Sequence, residues 1–252
     1  MSDPRQPGGP IPGPDKPALP KRFYAAAGVE QRDGAFALVL DGRPARSPGK
    51  RPLALPNRAL AEAVAAEWAA QVDVIDPATM PMTRIANSAI DGVAETMPDV
   101  RDDLARYAAS DLVCYRAGEP DKLVALQAEA WDPVLAWVRE AHGAQFVMSV
   151  GVVFVQQPEP ALARMRAALE AETSPFVLAG LHVMTTLTGS VLIALMQAAG
   201  ALDPAAAWRA AHVDEVHQES QWGQDYEAAQ RRDRREAEFQ AAARFVALVR
   251  GA

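Results

Sequence analysis

The segment Asp214-x-x-His217 carries the clearest chemical pattern in the chain, with His212 and Glu215 beside it. A carboxylate and an imidazole one helical turn apart can both ligate a metal. A carboxylate-bridged di-metal bundle needs a second such pair and two further glutamates. The chain has only 4 histidines, and no second carboxylate-x-x-His pair falls in a bundle-like context. What the pattern leaves open is a single-metal hydrolase built on His212, Asp214 and His217, against histidines that merely pack or face solvent. Phosphate chemistry has less support. Between Gly42 and the Gly49-Lys50 pair lie six residues, two of them prolines, and Arg51 follows where a magnesium-binding hydroxyl belongs. A phosphate loop needs four residues between its glycines and an unbroken run of backbone N–H groups. There is no G-x-G-x-x-G and no G-x-S-x-G. Cys114, the single cysteine, stands among Leu112, Val113 and Tyr115, the setting of a buried, inert thiol.

A second pattern points to contact rather than to catalysis. Trp208, His212, Glu215, Glu219, Trp222 and Tyr226 are spaced 4, 3, 4, 3, 4, which puts all six on one face of a continuous helix. Aromatics mark such a face as buried or partner-facing, yet it carries two carboxylates. A buried glutamate is costly unless paired. Either an arginine from another element meets it, or the face is open to a partner. The nearby cluster Arg231, Arg232, Arg234 and Arg235 is interleaved with acids. The i,i+4 pairs Arg232–Glu236 and Arg234–Glu238 predict a solvated helix face there.

Composition bounds the class of protein that carries these patterns. The 252 residues are 50% hydrophobic and 23% charged, an ordinary globular balance. A folded chain of this size buries about 70% of its unfolded surface, so it needs no staples. One cysteine excludes an internal disulfide framework and a Cys-rich zinc site, and fits a reducing compartment. A net charge of −7 argues against nucleic acid and anionic lipid as partners. Residues 1–20 hold seven prolines and no apolar run. They read as a Pro-rich disordered or extended arm, not as a secretory signal or presequence. From Thr173 to Leu202 there is no charged side chain, but hydroxyls, His182, Gly180 and Gly189 interrupt the run. One or two buried core helices are expected there rather than a membrane span.

The elements follow from periodicity and breakers. Phe36 to Leu40 followed by Asp41-Gly42 predicts a strand and a hairpin turn. The proline-laden return to Pro56 belongs to an edge strand or loop. Asn57 caps a helix expected through Gln71, with Leu60, Val64 and Trp68 on one face. From Thr83 the pattern is mostly helical. One helix begins near Pro98 and holds Leu104, Tyr107, Leu112 and Tyr115 in it or its continuation. Another covers Lys122 to His142 with an interruption at Asp132-Pro133, and Gly143 stops it. Phe146 to Val155, rich in β-branched residues, predicts a strand. Pro160 to Glu172 is helical, and Asp203-Pro204 caps a last helical region that runs nearly to the C-terminus. No period of 20 to 50 residues recurs.

Several segments, in order, resemble one family. They include Lys21-Arg22-Phe23-Tyr24, Leu40-Asp41-Gly42-Arg43-Pro44 with Ser47-Pro48, Leu53-x-Leu55-Pro56, Glu67-Trp68 with Gln71, and Ile75-x-Pro77 with Met80-Pro81-x-Thr83. Further along come Ala89-x-Asp91, Tyr107 with Asp111-Leu112 and Tyr115-Arg116, Gln127 with Trp131-x-Pro133, and Gln218 with Trp222-Gly223. Together they resemble the assembly chaperone of the F-type ATP synthase catalytic head that handles its alpha subunit. The resemblance runs from about Lys21 to Phe245. It implies an α+β fold: a small N-terminal α/β domain with a short antiparallel sheet (21–95), then a larger, mostly α-helical orthogonal bundle (96–252). It implies no enzyme activity and no cofactor. The partner implied is the unassembled ATP synthase alpha subunit, held on the surface later given to beta. The family's dependence on an acidic residue in the last helical region falls best on Glu215, with Asp214 next to it. Glu219 and Trp222 complete the expected partner-binding strip. Without a presequence, a bacterial cytoplasmic location is expected.

Overall fold

The structure, a computed structural model, describes residues 18–151, 153–223 and 225–251. The N-terminal part of the fold is a small antiparallel sheet. Its centre is β2 (Ala35–Leu40), flanked by β1 (Ala27–Arg32) on one side and by β3 (Arg43–Pro44) and β4 (Ala54–Leu55) on the other. Asp41 and Gly42 turn β2 into β3 with φ of 49° and 74°, the all-positive geometry that Asp-Gly suits. A second Asp-Gly, Asp33-Gly34, turns β1 into β2 in the same way at 48° and 80°. The proline-rich return contributes only β3 and β4, both at the edge, because proline cannot donate to a ladder.

Ten helices follow. α1 (Arg58–Ala69) starts where the Asn57 side chain accepts from Leu60 N at 2.9 Å. It ends two residues before Gln71. The Asn57 amide also donates to the Leu248 carbonyl near the C-terminus. α2 (Pro81–Ser88) runs straight into a π turn, Ala89–Val93. α3 (Met97–Ala109) ends earlier than the sequence predicts. The Asp111 carboxylate accepts from its own neighbour Val113 N and starts a short 3-10 turn, Leu112–Cys114. Tyr115 then falls on β5 (Tyr115–Arg116). α4 (Asp121–His142) runs through Asp132-Pro133 without the expected interruption. An internal proline costs about 3 kcal/mol. Here Trp131 and Val134 are buried on either side of it, and Trp131 Nε1 donates to the Ala210 carbonyl at 2.6 Å. Packing therefore offsets the lost helix bond.

The expected strand over Phe146 to Val155 is corrected. Only β6 (Ser149–Val150) forms, parallel to β5. β-branched residues favour a strand only where a partner edge exists, and β5 offers two residues. Val152 lies outside the described residues. α5 (Glu159–Glu170) matches the predicted helix closely. The uncharged run Thr173 to Leu202 forms two core helices, α6 (Pro175–Thr188) and α7 (Val191–Ala198), capped at their starts by Ser174 and Ser190. No helix among the described residues is long and apolar enough to cross a membrane.

The last helical region is three helices: α8 (Pro204–Ala211), α9 (Val213–Trp222) and α10 (Tyr226–Arg250). The break between α8 and α9 is at His212. Its ring folds back to donate from Nδ1 to the Trp208 carbonyl at 2.9 Å and stacks on the Trp208 ring at 3.7 Å. Gly223, at φ 87°, ends α9, and the Asp225 carboxylate caps α10. The single stripe read from Trp208 to Tyr226 is therefore divided. Trp208 and His212 are core, whereas Glu215, Trp222 and Tyr226 face outward.

One contiguous core runs from Tyr24 in the N-terminal segment to Val246 in α10. α6 lies at its centre, packed on α10, α3, α2 and α7. A Cβ on Gly180 would come within 2.4 Å of Val246, so glycine allows α6 and α10 to approach this closely.

Candidate functional site: the cleft beside helix α9

α9 carries acids in its first turn, Asp214 and Glu215, where a helix N-terminus favours negative charge. The two face different surroundings. Asp214 is half-buried and accepts from Gln127 Nε2 at 2.6 Å. The Gln127 oxygen in turn accepts from Ala117 N at 2.7 Å. One buried glutamine thus joins α9, α4 and the end of β5. Glu215 is exposed and has no hydrogen bond or ion pair among the described residues.

Beside Glu215 lies an open cleft of about 430 Å³ between α9 and the start of α10. Glu215, Gln218, Glu219 and Trp222 form one wall, and Arg231, Arg232 and Arg235 the other. Glu219 and Arg232 form an ion pair across it, both largely buried. This is the arginine that a half-buried glutamate requires. That hydrogen bond, with the nearby Glu215 charge, holds the Arg232 guanidinium above its ordinary pKa. Arg235 donates to the Leu187 carbonyl at 2.8 Å, and Arg231 approaches Glu227 at 3.8 Å. The predicted pairs Arg232–Glu236 and Arg234–Glu238 do not form. Glu238 instead pairs with Arg84 at 2.8 Å, and Arg234 donates to the Gln230 carbonyl. Trp222 is 89% exposed at the mouth of the cleft.

The metal alternative is corrected by the same geometry. No three metal-ligating side chains gather anywhere among the described residues. His212 is spent on Trp208, Asp214 turns toward Gln127, and His217 is buried with its Nδ1 unpartnered. The break at His212 separates what one helix would have aligned. Burial holds the His212 imidazole below its ordinary pKa. Cys114 is buried as expected, and burial pushes its thiol up to about 12.

On the far flank of α9 is a feature that sequence spacing did not point to. α4, α8 and α9 enclose an open groove of about 460 Å³, lined mainly by apolar side chains. Residues from three separate stretches build it, so no local periodicity reports it. The participation of Gln127 and Arg232 was hidden for the same reason.

The cleft is thus open and polar, with an exposed carboxylate and an exposed tryptophan on one wall. The comparisons define the class of protein. Residues 21–139 match the family described as ATP12 chaperone protein. The crystal structure of Atp12 from Paracoccus denitrificans is 40% identical with a TM-score of 0.85, the match covering 91% of this chain and 98% of that one. An aspartate-to-lysine mutant of the same P. denitrificans Atp12p gives 40% and 0.84 over the same shares. The Atu1473 protein of Agrobacterium tumefaciens is 45% identical with a TM-score of 0.87, over 90% of this chain and 85% of its own. The chain belongs to the ATP12 chaperone family.

Proposed function

We propose that this protein is a chaperone for assembly of the F-type ATP synthase catalytic head. Its client is the unassembled alpha subunit, whose subunit interface it shields until beta takes its place. Family membership supports the assembly role. The observation that carries the site is Glu215 and Trp222 standing exposed on one face of α9, Glu215 without a hydrogen bond or ion pair among the described residues. Tryptophan is enriched among the residues that anchor protein interfaces. In this reading Glu215 and Trp222 touch the client. Glu219, held by Arg232, shapes the wall between them, and Asp214 fixes α9 to α4 through Gln127.

The test is a paired pull-down against separately expressed alpha and beta subunits. Retention of alpha and not beta is expected. Glu215→Lys is expected to weaken that retention at least tenfold, with far-UV circular dichroism unchanged. Failure to retain a soluble, folded alpha subunit would overturn the reading.

A further inference from the structure

The cleft beside Glu215 is small and polar for a surface that must cover an apolar subunit interface. Ten residues line it, and only Trp222 offers a large apolar face. One side of a standard stable interface takes about 20–30 residues. The groove on the other flank of the same helix is lined by eleven more, none shared with the cleft. Its chemistry is the complement of the cleft's. Val134 forms a buried floor, and Ala130 and Ala206 leave space above it. Val216 is 52% and Leu126 37% exposed on its sides. Charge is confined to Glu129 and Arg209, the arrangement of an apolar centre with polar edges. Val216 follows Glu215 directly, so α9 is the common wall of both depressions.

We infer that the client contact straddles α9. The charged cleft takes one part of the alpha subunit, and the groove of α4, α8 and α9 takes an apolar segment of the same subunit interface. The inference rests on the reading that α9 faces the client. The groove's occupant is a stretch bearing aliphatic side chains of Leu, Ile, Val or Met size, surface that the alpha subunit must hide until it is assembled. Two adjoining depressions of opposite character are together lined by twenty-one residues, at the lower end of the roughly 20–30 that one side of a standard interface takes.

The experiment titrates the full chain against purified alpha subunit, comparing the unaltered protein with Val216→Glu, Leu126→Glu, Glu215→Lys and the control Val72→Glu. Val72 is exposed in a loop outside both depressions. Val216→Glu and Leu126→Glu are each expected to weaken binding about tenfold or more, and Val72→Glu to leave it unchanged. Circular dichroism and the melting temperature verify that each variant folds. Val216 and Leu126 stand on different helices, so either one alone carries the test if the other misfolds. Loss of binding in Glu215→Lys with full binding in both groove variants overturns the inference and leaves the proposed function standing. If the unaltered protein binds no alpha subunit, both fall. Sedimentation distinguishes one further occupant. A dimer that Val216→Glu turns into monomers, with alpha binding unchanged, assigns the groove to a second copy and overturns the inference.

Discussion

Many of the residues that carry the family resemblance act as clamps between elements. Asp41 accepts from Ala25 N and Ala26 N. Asp91, from the π turn, takes the Ser47 hydroxyl and the Gly49 amide, and so pins the loop that superficially suggests a phosphate site. Asp111 is the most deeply placed. Fully buried, it accepts from Val113 N at 3.2 Å and from Leu192 N at 3.1 Å, which ties the start of α7 to the end of α3. Burial raises its pKa to about 6 despite those bonds. An unfolded aspartate titrates near 3.9. Between about pH 4 and 6 the folded state therefore holds a proton that the unfolded state has lost. On this group's account stability is greatest below pH 4, falls as pH rises through 6 and is flat above, an effect of up to about 3 kcal/mol. Asp111→Asn removes that dependence and forfeits one acceptor. In urea titrations at pH 4.5, 5.5, 6.5 and 7.5, the stability of the unaltered protein relative to Asp111→Asn is expected to fall up to pH 6 and then level off. A constant difference across the series would show that Asp111 does not titrate there.

At the scale of elements, neighbours supply what a helix lacks. α2 has no cap of its own. Glu67 from α1 serves instead, accepting from Met82 N, Thr83 N and the Thr83 hydroxyl at 2.7–2.8 Å. Burial holds the Glu67 pKa above its ordinary value even so. The sequence showed Glu67 and Thr83 sixteen residues apart, with no periodicity linking them. The same holds for the close approach of α6 to α10. Gly180 interrupts an apolar run, and helix propensity alone favours Ala there by about 1 kcal/mol. The contact with Val246 reverses that preference. A methyl at Gly180 must displace a stiff, fully buried valine, and overpacking costs about 1–3 kcal/mol. Gly180→Ala is expected to destabilise by about 1 kcal/mol net, lowering the melting temperature by about 2–4 °C. An unchanged or raised melting temperature would mean that the two helices part without cost.

At the scale of the molecule, α10 returns along the chain to bind what precedes it. Arg84 pairs with Glu238, Arg250 with Glu172, and Asn57 donates to Leu248. The segments 21–95 and 96–252 thereby share one core. Thermal unfolding is expected as a single transition, with near- and far-UV signals coincident. Two separated transitions would show that the sheet and the helices fold as independent units. The sequence by itself determined the class of fold, the turn at Asp41-Gly42, the start of α1, the core helices α6 and α7, the burial of Cys114 and the family. Each of these is written in neighbouring residues, through turn chemistry, caps, apolar runs or ordered segments. It also named Glu215 and Trp222 as candidates, and the structure places both exposed on α9. Only the tertiary structure decided that the last region breaks at His212, that Phe146 to Val155 forms only a two-residue strand, and that Arg232 pairs with Glu219. It alone built the apolar groove from α4, α8 and α9. Those outcomes depend on packing between residues far apart in the chain, whose energies of a few kcal/mol exceed the local preferences they override.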